Sequence, residues 1–297
     1  MTKRKAKNRP VLLVVAWLFG LGLLLTTLLY GTDIRVLNPQ GLIAQDQFKL
    51  IMFSIAVLLL IAGPTLFFLY FFAWKYRETN TKAVYDPHVR HGKFFIFSLW
   101  AIPSVFMLVL LGVMWVSTHK LEPQKMIASS NKTLHVQVIA MRWKWVFIYP
   151  EQGIATVNFV QTPVDTPVEF DLMADDAPMS SFWIPHWGGQ LYAMTGMVNQ
   201  LNLMPTTIGD SDGSSAEING AGFAGMKFIA RASSQDDFDH WVEQVKDSPN
   251  VLDLPEYQKL LEPSENNPRA YYSATESDLY GKVLSKYMGS HHMDMEE

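Results

Sequence analysis

LIMFSIAVLLLIAGPTLFFLYFFAW, residues 50–74, is an unbroken apolar run without a charged side chain. A helix of this length exceeds the roughly 20 residues needed to cross a hydrocarbon core of about 30 Å. A second uncharged run, residues 94–118, follows after a polar connection. The sequence therefore predicts a transmembrane helical hairpin within residues 33–121, with spans at about 50–74 and 94–118.

A third apolar run, residues 10–32, lies near the N-terminus behind a basic start. It is longer than the apolar region of a usual signal peptide and has no clear small-residue cleavage site. Residues 1–32 therefore fit either a cleaved signal peptide or an uncleaved signal-anchor, and both alternatives stay open.

The distribution of lysine and arginine predicts the topology, because basic residues are retained on the cytoplasmic side. One cluster precedes the first apolar run, and a second lies in residues 75–93, between the two later runs. The connection over residues 33–49 carries only Arg35 and Lys49 as basic residues. In a bacterium, this pattern predicts a multi-pass protein of the cytoplasmic membrane whose part after Thr118 lies on the periplasmic or extracellular side.

Composition excludes several classes of site. The chain contains no cysteine, which rules out disulfides, cysteine-ligated zinc, iron–sulfur clusters, thiolate copper and a cysteine nucleophile. The net charge is only −4, and no basic face rich in aromatic residues is evident. Nucleic acid is therefore not an expected partner.

Short strand-like runs separated by turn signals fill residues 133–233. Residues 134–138 alternate apolar and polar side chains, as a half-buried strand does. Further runs follow at intervals typical of a sandwich or barrel: residues 143–149, 166–172, 181–184, 197–203 and 226–230. The pattern predicts a β-sandwich.

The pattern changes to a helical period after Ser233. Phe238, Trp241, Val242 and Val245 recur at helical spacing, behind a plausible capping box formed by Ser234 and Asp237. Two more helical segments are predicted around residues 257–261 and over 275–288, which gives an aromatic-rich helical extension at 234–289. Residues 290–297 are predicted to be a disordered tail, whose His291, His292 and Met293 are interpreted as inert rather than as a metal site.

Four motifs together resemble subunit II of the bacterial haem–copper quinol oxidases, within the cytochrome c oxidase subunit II superfamily. They are THKLEPQK (118–125), RWKWVFIYPEQGIATVN (142–158), SFWIPHWGGQLYAMTGM (181–197) and LEPSENNP (261–268). The last is similar to the aromatic-rich extension of the cytochrome bo-type, or ubiquinol-type, subunits. The resemblance implies a membrane-anchored α+β chain with a cupredoxin-like β-sandwich over residues 122–233, followed by the helical extension.

Copper-bearing relatives in this superfamily hold two copper ions through a C-x3-C-x3-H-x2-M loop, a histidine from an earlier strand and a glutamate carbonyl. The matching segment here is SAEINGAGFAGM, residues 215–226, which keeps the spacing but not the ligands. By this match the vacated ligand positions are Ser180, Ser215, Asn219 and Phe223, whereas Met226 and Glu217 are retained.

Without the soft thiolates that suit copper, no copper centre is expected in this chain. Cytochrome c is then not an expected electron donor. The Phe223 ring is expected to fill the space once taken by metal and imidazole, and Ser180, Ser215 and Asn219 are expected to find hydrogen-bond partners.

The resemblance implies a non-catalytic subunit of a proton-pumping respiratory quinol:oxygen oxidoreductase. Quinol is then oxidised, and oxygen reduced to water, in the large subunit I, which carries the haems and copper. Subunit II caps subunit I on the outer face and contacts other oxidase subunits and membrane lipid, with no catalytic or cofactor-binding residue of its own. The alternative is a free-standing, membrane-tethered cupredoxin-like assembly factor. The long aromatic extension favours a fixed docking partner.

Four single residues need an interpretation of their own. Trp143 and Trp145 stand where copper-bearing relatives use aromatic residues to pass electrons, but core or interface packing is the favoured role here. His186 is interpreted as a surface or hydrogen-bonded residue rather than a metal ligand. Ile96 occupies a position where the family often has a glutamate near the site of proton uptake. A role of this chain in proton uptake therefore stays open. The haem types also stay open, and so does the choice between ubiquinol, which the resemblance favours, and menaquinol.

Overall fold

A computed structural model describes residues 35–82 and 92–288, together with Gly20 and Leu24. Apart from those two residues, the predicted signal segment 1–32 lies outside the described residues, and so does the tail 290–297. The chain divides into two compact units after Asn38. A short 3-10 helix, Arg35–Leu37, precedes this division, and every element below follows it.

Two long helices, α1 (Leu42–Lys75) and α2 (Lys93–Lys120), contain the two predicted spans. Both are long and apolar enough to cross a membrane. Most of their large apolar side chains are exposed, which suits helices surrounded by lipid or by other membrane helices. Each helix extends beyond its apolar run, because helical hydrogen bonding continues into the polar residues at both ends.

The outer part of the chain forms two packed sheets. In chain order the six strands of the first sheet are β1 (Leu134–Met141), β2 (Lys144–Tyr149), β3 (Ile154–Val157), β5 (Val168–Ala174), β8 (Asn199–Leu203) and β11 (Ala270–Tyr272). Their order in the sheet is β11-β3-β2-β1-β5-β8, in which β1 and β5 run parallel and the other neighbours are antiparallel.

The second sheet has five strands in the order β4-β10-β9-β6-β7, with β4 and β10 parallel. Its strands are β4 (Phe159–Pro163), β6 (Ser180–Trp183), β7 (Gln190–Ala193), β9 (Gly209–Ser215) and β10 (Lys227–Ser233). The predicted fold class, a membrane-anchored α+β chain with a cupredoxin-like β-sandwich and a helical extension, is confirmed.

Aromatic rings fill the space between the two sheets. Trp145 is fully buried and meets Phe182 and Phe228 edge to face, at centroid distances of 5.3 and 5.8 Å. Phe182 and Phe228 stack on each other at 5.1 Å. Burying one such ring contributes roughly 1.5–3 kcal/mol, so this cluster is a major source of the stability of the sandwich.

Helix α3 (Gln235–Lys246) closes one end of the sandwich. The predicted cap is present, since the Ser234 hydroxyl accepts a hydrogen bond from the backbone N–H of Asp237 at 3.1 Å. The four apolar residues at helical spacing are all buried, and Trp241 packs against the Tyr149 ring at 5.6 Å. The helix therefore extends the core between the two sheets.

Helices α4 (Leu254–Leu261) and α5 (Leu279–Met288) cover the outer face of the first sheet. The prediction of a helix from Thr275 is wrong at its start. Thr275 instead forms a β-bridge with Leu252, and the helix begins only after Asp278, whose side chain accepts from the N–H of Gly281. The extension is also not purely helical, because it contributes β11 to the first sheet.

Buried polar groups fix the extension to the sandwich. Asp175 is 1% exposed and accepts hydrogen bonds from the hydroxyls of Tyr257 (2.7 Å) and Tyr287 (2.5 Å), and Lys286 forms an ion pair with it at 2.9 Å. Lys144 is buried beneath the end of α4, where its ammonium donates to the carbonyls of Leu260 and Glu262. Burial lowers the pKa of Lys144 below its ordinary value, and the nearby Glu262 charge opposes that shift.

The N-terminus of α1 is joined to the sandwich through backbone groups. The first N–H groups of a helix have no partner within it, and here the sandwich supplies carbonyls. The N–H of Leu42 donates to Met204 at 2.9 Å, and that of Ala44 donates to Trp187 at 3.1 Å. We call this contact the helix–sandwich joint.

Two glycines make the helix–sandwich joint possible. A methyl group on Gly188 would lie 2.5 Å from the Ala44 nitrogen, and one on Gly41 would lie 2.6 Å from the Trp187 carbonyl oxygen. Gly188 also has a φ of +88°, which L side chains rarely adopt. The sandwich and α1 therefore meet with no side chain between their backbones.

Replacing Gly188 by alanine should destabilise the protein through both steric overlap and backbone strain. We expect about 2–5 kcal/mol, from overpacking of about 1–3 kcal/mol and left-handed strain of about 1–2 kcal/mol. Gly153→Ala is the matched control, since Gly153 has a φ of +72° but open space around a methyl group. Denaturant unfolding of the purified chain in detergent measures the difference. Equal losses for both variants would contradict the proposed close approach.

Alkaline pH should loosen the extension. Burial, reinforced by the neighbouring Asp175 carboxylate, raises the pKa of Tyr257 above its ordinary 10.0. The unfolded chain therefore releases the proton first, and the stability that Tyr257 contributes is present below pH 10 and lost above it. Each such tyrosine adds about 1.4 kcal/mol per pH unit to the decline.

Tyr257→Phe should remove about 1.4 kcal/mol per pH unit from the slope of unfolding free energy above pH 10. Tyr192→Phe, at an exposed position on β7, serves as the control and should keep the wild-type slope. Unfolding free energy measured at intervals from pH 8 to 11 tests this. An identical slope in Tyr257→Phe and wild type would argue against the burial of this hydroxyl.

Candidate functional site

The six positions that the sequence resemblance matches to copper ligands lie at one end of the second sheet. Ser180 begins β6, and Ser215 ends β9, which pairs with β6. The other positions follow between β9 and β10 and are Glu217, Asn219, Phe223 and Met226. The sheet order thus brings Ser180 to the loop although Ser180 and Asn219 are 39 residues apart in sequence.

The side-chain amide of Asn219 is the centre of this site. Its Nδ2 donates to Ser180 Oγ at 2.7 Å and to Met226 Sδ at 3.1 Å. All three side chains are buried, and Ser180 Oγ in turn donates to the Pro178 carbonyl at 3.1 Å. A neutral amide therefore connects Ser180 to Met226, at a position that the sequence resemblance matches to a copper-binding thiolate.

Ser215 closes the other side of the loop. Its hydroxyl donates to the carbonyl of Glu217 at 3.0 Å, the group that the resemblance associates with copper. The Ser215 N–H also donates to the carbonyl of Met226 at 3.3 Å. Ser180, Ser215 and Asn219 thus each have a hydrogen-bond partner, as the sequence predicts.

Phe223 lies in a one-turn 3-10 helix, Phe223–Gly225, and is partly buried. That its ring fills the space of a metal and an imidazole stays a prediction. Asn219 and Met226 are more deeply buried, and the Asn219 amide joins Met226 to Ser180.

Trp143 contacts the loop from the first sheet. The sequence predicts that Trp143 begins a strand, but it lies in the β1–β2 turn with a φ of +67°. Its indole covers the backbone of the loop so closely that a methyl group on Gly222 would lie 2.3 Å from its ring. Among the described residues its Nε1 has no hydrogen-bond partner. Sequence reasoning did not detect this contact, although the two glycines at 220 and 222 are consistent with a flat neighbour.

Trp145 and His186 lie outside the loop. Trp145 belongs to the aromatic core, consistent with the favoured packing role. His186 is buried beside the helix–sandwich joint, where its carbonyl accepts from the N–H of Gln40 at 2.7 Å. The site therefore consists of the loop, Ser180 and the covering Trp143.

The donor set of this site does not fit copper. A phenyl ring offers no ligand atom, and hydroxyl and amide groups lack the softness of the thiolates that hold copper in the relatives. Met226 is a single weak thioether ligand. Among residues 35–82 and 92–288, no group of three or more histidine, cysteine, aspartate or glutamate side chains is arranged to hold a metal ion.

Comparison with known proteins decides the family. A cytochrome bo(3) ubiquinol oxidase subunit 2 from Pseudomonas putida is 45% identical over 276 residues, covering 92% of this chain and 87% of the relative. The chain belongs to the quinol oxidase subunit 2 family. A ubiquinol oxidase subunit 2 from Acetobacter aceti is 41% identical over 275 residues, covering 92% of this chain and 89% of the relative.

Two further similarities each cover only part of this chain. The COX Aromatic Rich Motif matches residues 246–291, a range that includes α4, β11 and α5. A solved periplasmic domain of subunit II of cytochrome oxidase (CoxB) of Bradyrhizobium japonicum is 20% identical, covers 40% of this chain and 96% of its own, and has a TM-score of 0.38. The two apolar helices and the family membership fit an inner-membrane location.

Restoring the ligands tests whether the loop still follows the copper-binding path. The variant combines Ser180→His, Ser215→Cys, Asn219→Cys and Phe223→His, with Met226 kept. We expect it to take up about two copper ions, since thiolate softness and the preserved spacing favour copper. Metal analysis and the thiolate-to-copper absorption band measure the uptake.

The control carries the two histidines without the cysteines and should show no such band. Because the natural chain has no cysteine, any thiolate band must come from the introduced pair. A well-folded variant without copper would show that the loop geometry has diverged from that of the relatives.

Proposed function

We propose that this chain is the non-catalytic subunit II of a proton-pumping respiratory quinol oxidase, an oxidoreductase that oxidises quinol and reduces oxygen to water. The single observation that carries this proposal is a hydrogen-bonded Ser180–Asn219–Met226 cluster, at positions that the sequence resemblance matches to copper ligands, in a member of the quinol oxidase subunit 2 family. The chain would then serve assembly and structure rather than electron transfer.

The chemistry of the cluster supports a structural role. An amide and two hydroxyls hold the loop closed without a redox-active group, and cytochrome c then has no electron acceptor in this subunit. Haems and copper would reside in the large subunit I, where quinol reacts. Ubiquinol is the favoured donor, because the similar proteins from Pseudomonas putida and Acetobacter aceti are named ubiquinol oxidase subunits.

Two structural features support docking to subunit I. The helices α1 and α2 expose long apolar faces that suit neighbouring membrane helices. The helix–sandwich joint connects α1 to the outer domain through backbone contacts, so the sandwich would cap subunit I on the outer face.

Purification of the complex tests this proposal. The tagged full chain, extracted in mild detergent, should co-elute with a haem-bearing large subunit in equal amounts. Reduced-minus-oxidised spectra and subunit quantification read this out, with an unrelated tagged two-span membrane protein as the control. Elution of the chain alone, without haem, would favour a free-standing assembly factor and overturn the proposal.

We also infer that the outer domain faces away from the cytoplasm, because the lysine and arginine clusters flank the opposite ends of the spans. Protease added to right-side-out spheroplasts should cut within residues 118–297 and leave the region of Arg77 intact. Protection of the outer domain, with cleavage near Arg77, would reverse the topology.

A further inference from the structure

A basic cluster lies where the N-terminus of α1 meets the C-terminus of α2. Asp46 accepts from Lys120 at 2.6 Å and from Lys49 at 3.2 Å, so one carboxylate draws two ammonium groups together. The lysine side chains remain 73% and 63% exposed, whereas Asp46 is 16% exposed. The cluster carries a net charge of +1, and each ammonium has three N–H donors, more than Asp46 uses.

An apolar groove begins directly beside this cluster. A cavity of about 230 Å³ is lined by the three charged residues and by Leu50, Phe53 and Val113 among others. A second cavity of about 440 Å³ lies further along α2, between Leu108 and Ser117. The two cavities share Val113 and Ser117 as lining residues, so they adjoin.

Gly112 opens the lower part of the groove, because no atom lies within 4 Å of the position its missing side chain would take. From Leu108 to Lys120 the helix rises about 18 Å, which is close to the thickness of one hydrocarbon leaflet of about 15 Å. Ammonium groups at one end and an open apolar groove of leaflet length below them match a phosphate headgroup with an acyl chain.

We propose that Lys49 and Lys120, with the groove along Val113 and Gly112, form a binding site for one anionic phospholipid of the outer leaflet. The net charge of +1 complements a headgroup with a single negative charge and favours it over a zwitterionic one. Asp46 holds the ammonium groups of both lysines at the headgroup end of the groove. The apolar end of the groove therefore does not face two unpaired ammonium charges. This inference rests on the placement of α1 and α2 in the membrane proposed above.

The test is a lipid titration of the purified, delipidated complex with phosphatidylglycerol, read by native mass spectrometry. The double variant Lys49→Gln/Lys120→Gln should bind it roughly thirtyfold more weakly, which corresponds to about 2 kcal/mol. Lys125→Gln removes an exposed positive charge outside the groove and should leave binding unchanged. Phosphatidylcholine and inorganic phosphate should not replace phosphatidylglycerol.

A second pair of variants tests the acyl-chain part with the lysines intact. Gly112→Leu should weaken binding by filling the groove, whereas Gly63→Leu, which adds the same side chain in open space on α1, should not. Equal binding by wild type, the lysine variant and Gly112→Leu would overturn the inference. So would efficient cross-linking of Gly112→Cys, the only cysteine then in the chain, to a neighbouring subunit, since a protein helix would then occupy the groove.

Failure of this lipid site is distinguishable from failure of the proposed function. Co-elution with haem and cleavage of the outer domain in spheroplasts do not depend on the two lysines. A complex that keeps its haem subunit but shows no lysine-dependent lipid binding would overturn the lipid site alone.

Discussion

Two N–H groups at the N-terminus of α1, those of Leu42 and Ala44, are satisfied by backbone carbonyls of the outer domain, and the placement of the membrane helix on the sandwich depends on this contact. Gly41 and Gly188 let the two backbones meet without intervening side chains, so the direction of the membrane helix is tied to the sandwich. The loop that supplies Trp187 and Gly188 follows directly after β6, the strand that begins with Ser180. One short segment therefore links the membrane anchor to the strand that carries Ser180.

The loop that the resemblance matches to a copper-binding loop is closed by neutral contacts. The Asn219 amide and the Ser215 hydroxyl supply hydrogen bonds that each contribute about 0.5–1.5 kcal/mol. The side-chain oxygen of Asn219, Oδ1, has no hydrogen-bond partner within the described residues, which costs about 1–3 kcal/mol. The loop therefore relies on the surrounding aromatic core and on the covering Trp143 for much of its order.

Sequence alone predicted the parts of the fold in which side-chain polarity directly reflects the environment. Residues 50–74 and 94–118 are recognisable because lipid tolerates no charge, and the cap at Ser234 follows from local chemistry. Strand β9 was missed because its sequence, GDSDGSS, resembles a loop; small inward residues there make room for neighbouring rings, and Asp210 pairs with Arg231 across to β10. Burial of Lys144 was also unpredictable, because it depends on contacts with residues more than a hundred positions away in sequence.

By the function proposed above, this subunit shapes and anchors the oxidase but carries no electrons. Rapid mixing of the purified oxidised complex with either ubiquinol or reduced cytochrome c, followed by haem absorbance, tests it most directly. The account predicts fast haem reduction by ubiquinol and none above background by cytochrome c, at low and at high ionic strength. Fast haem reduction by cytochrome c, lost when the outer domain is removed, would contradict it.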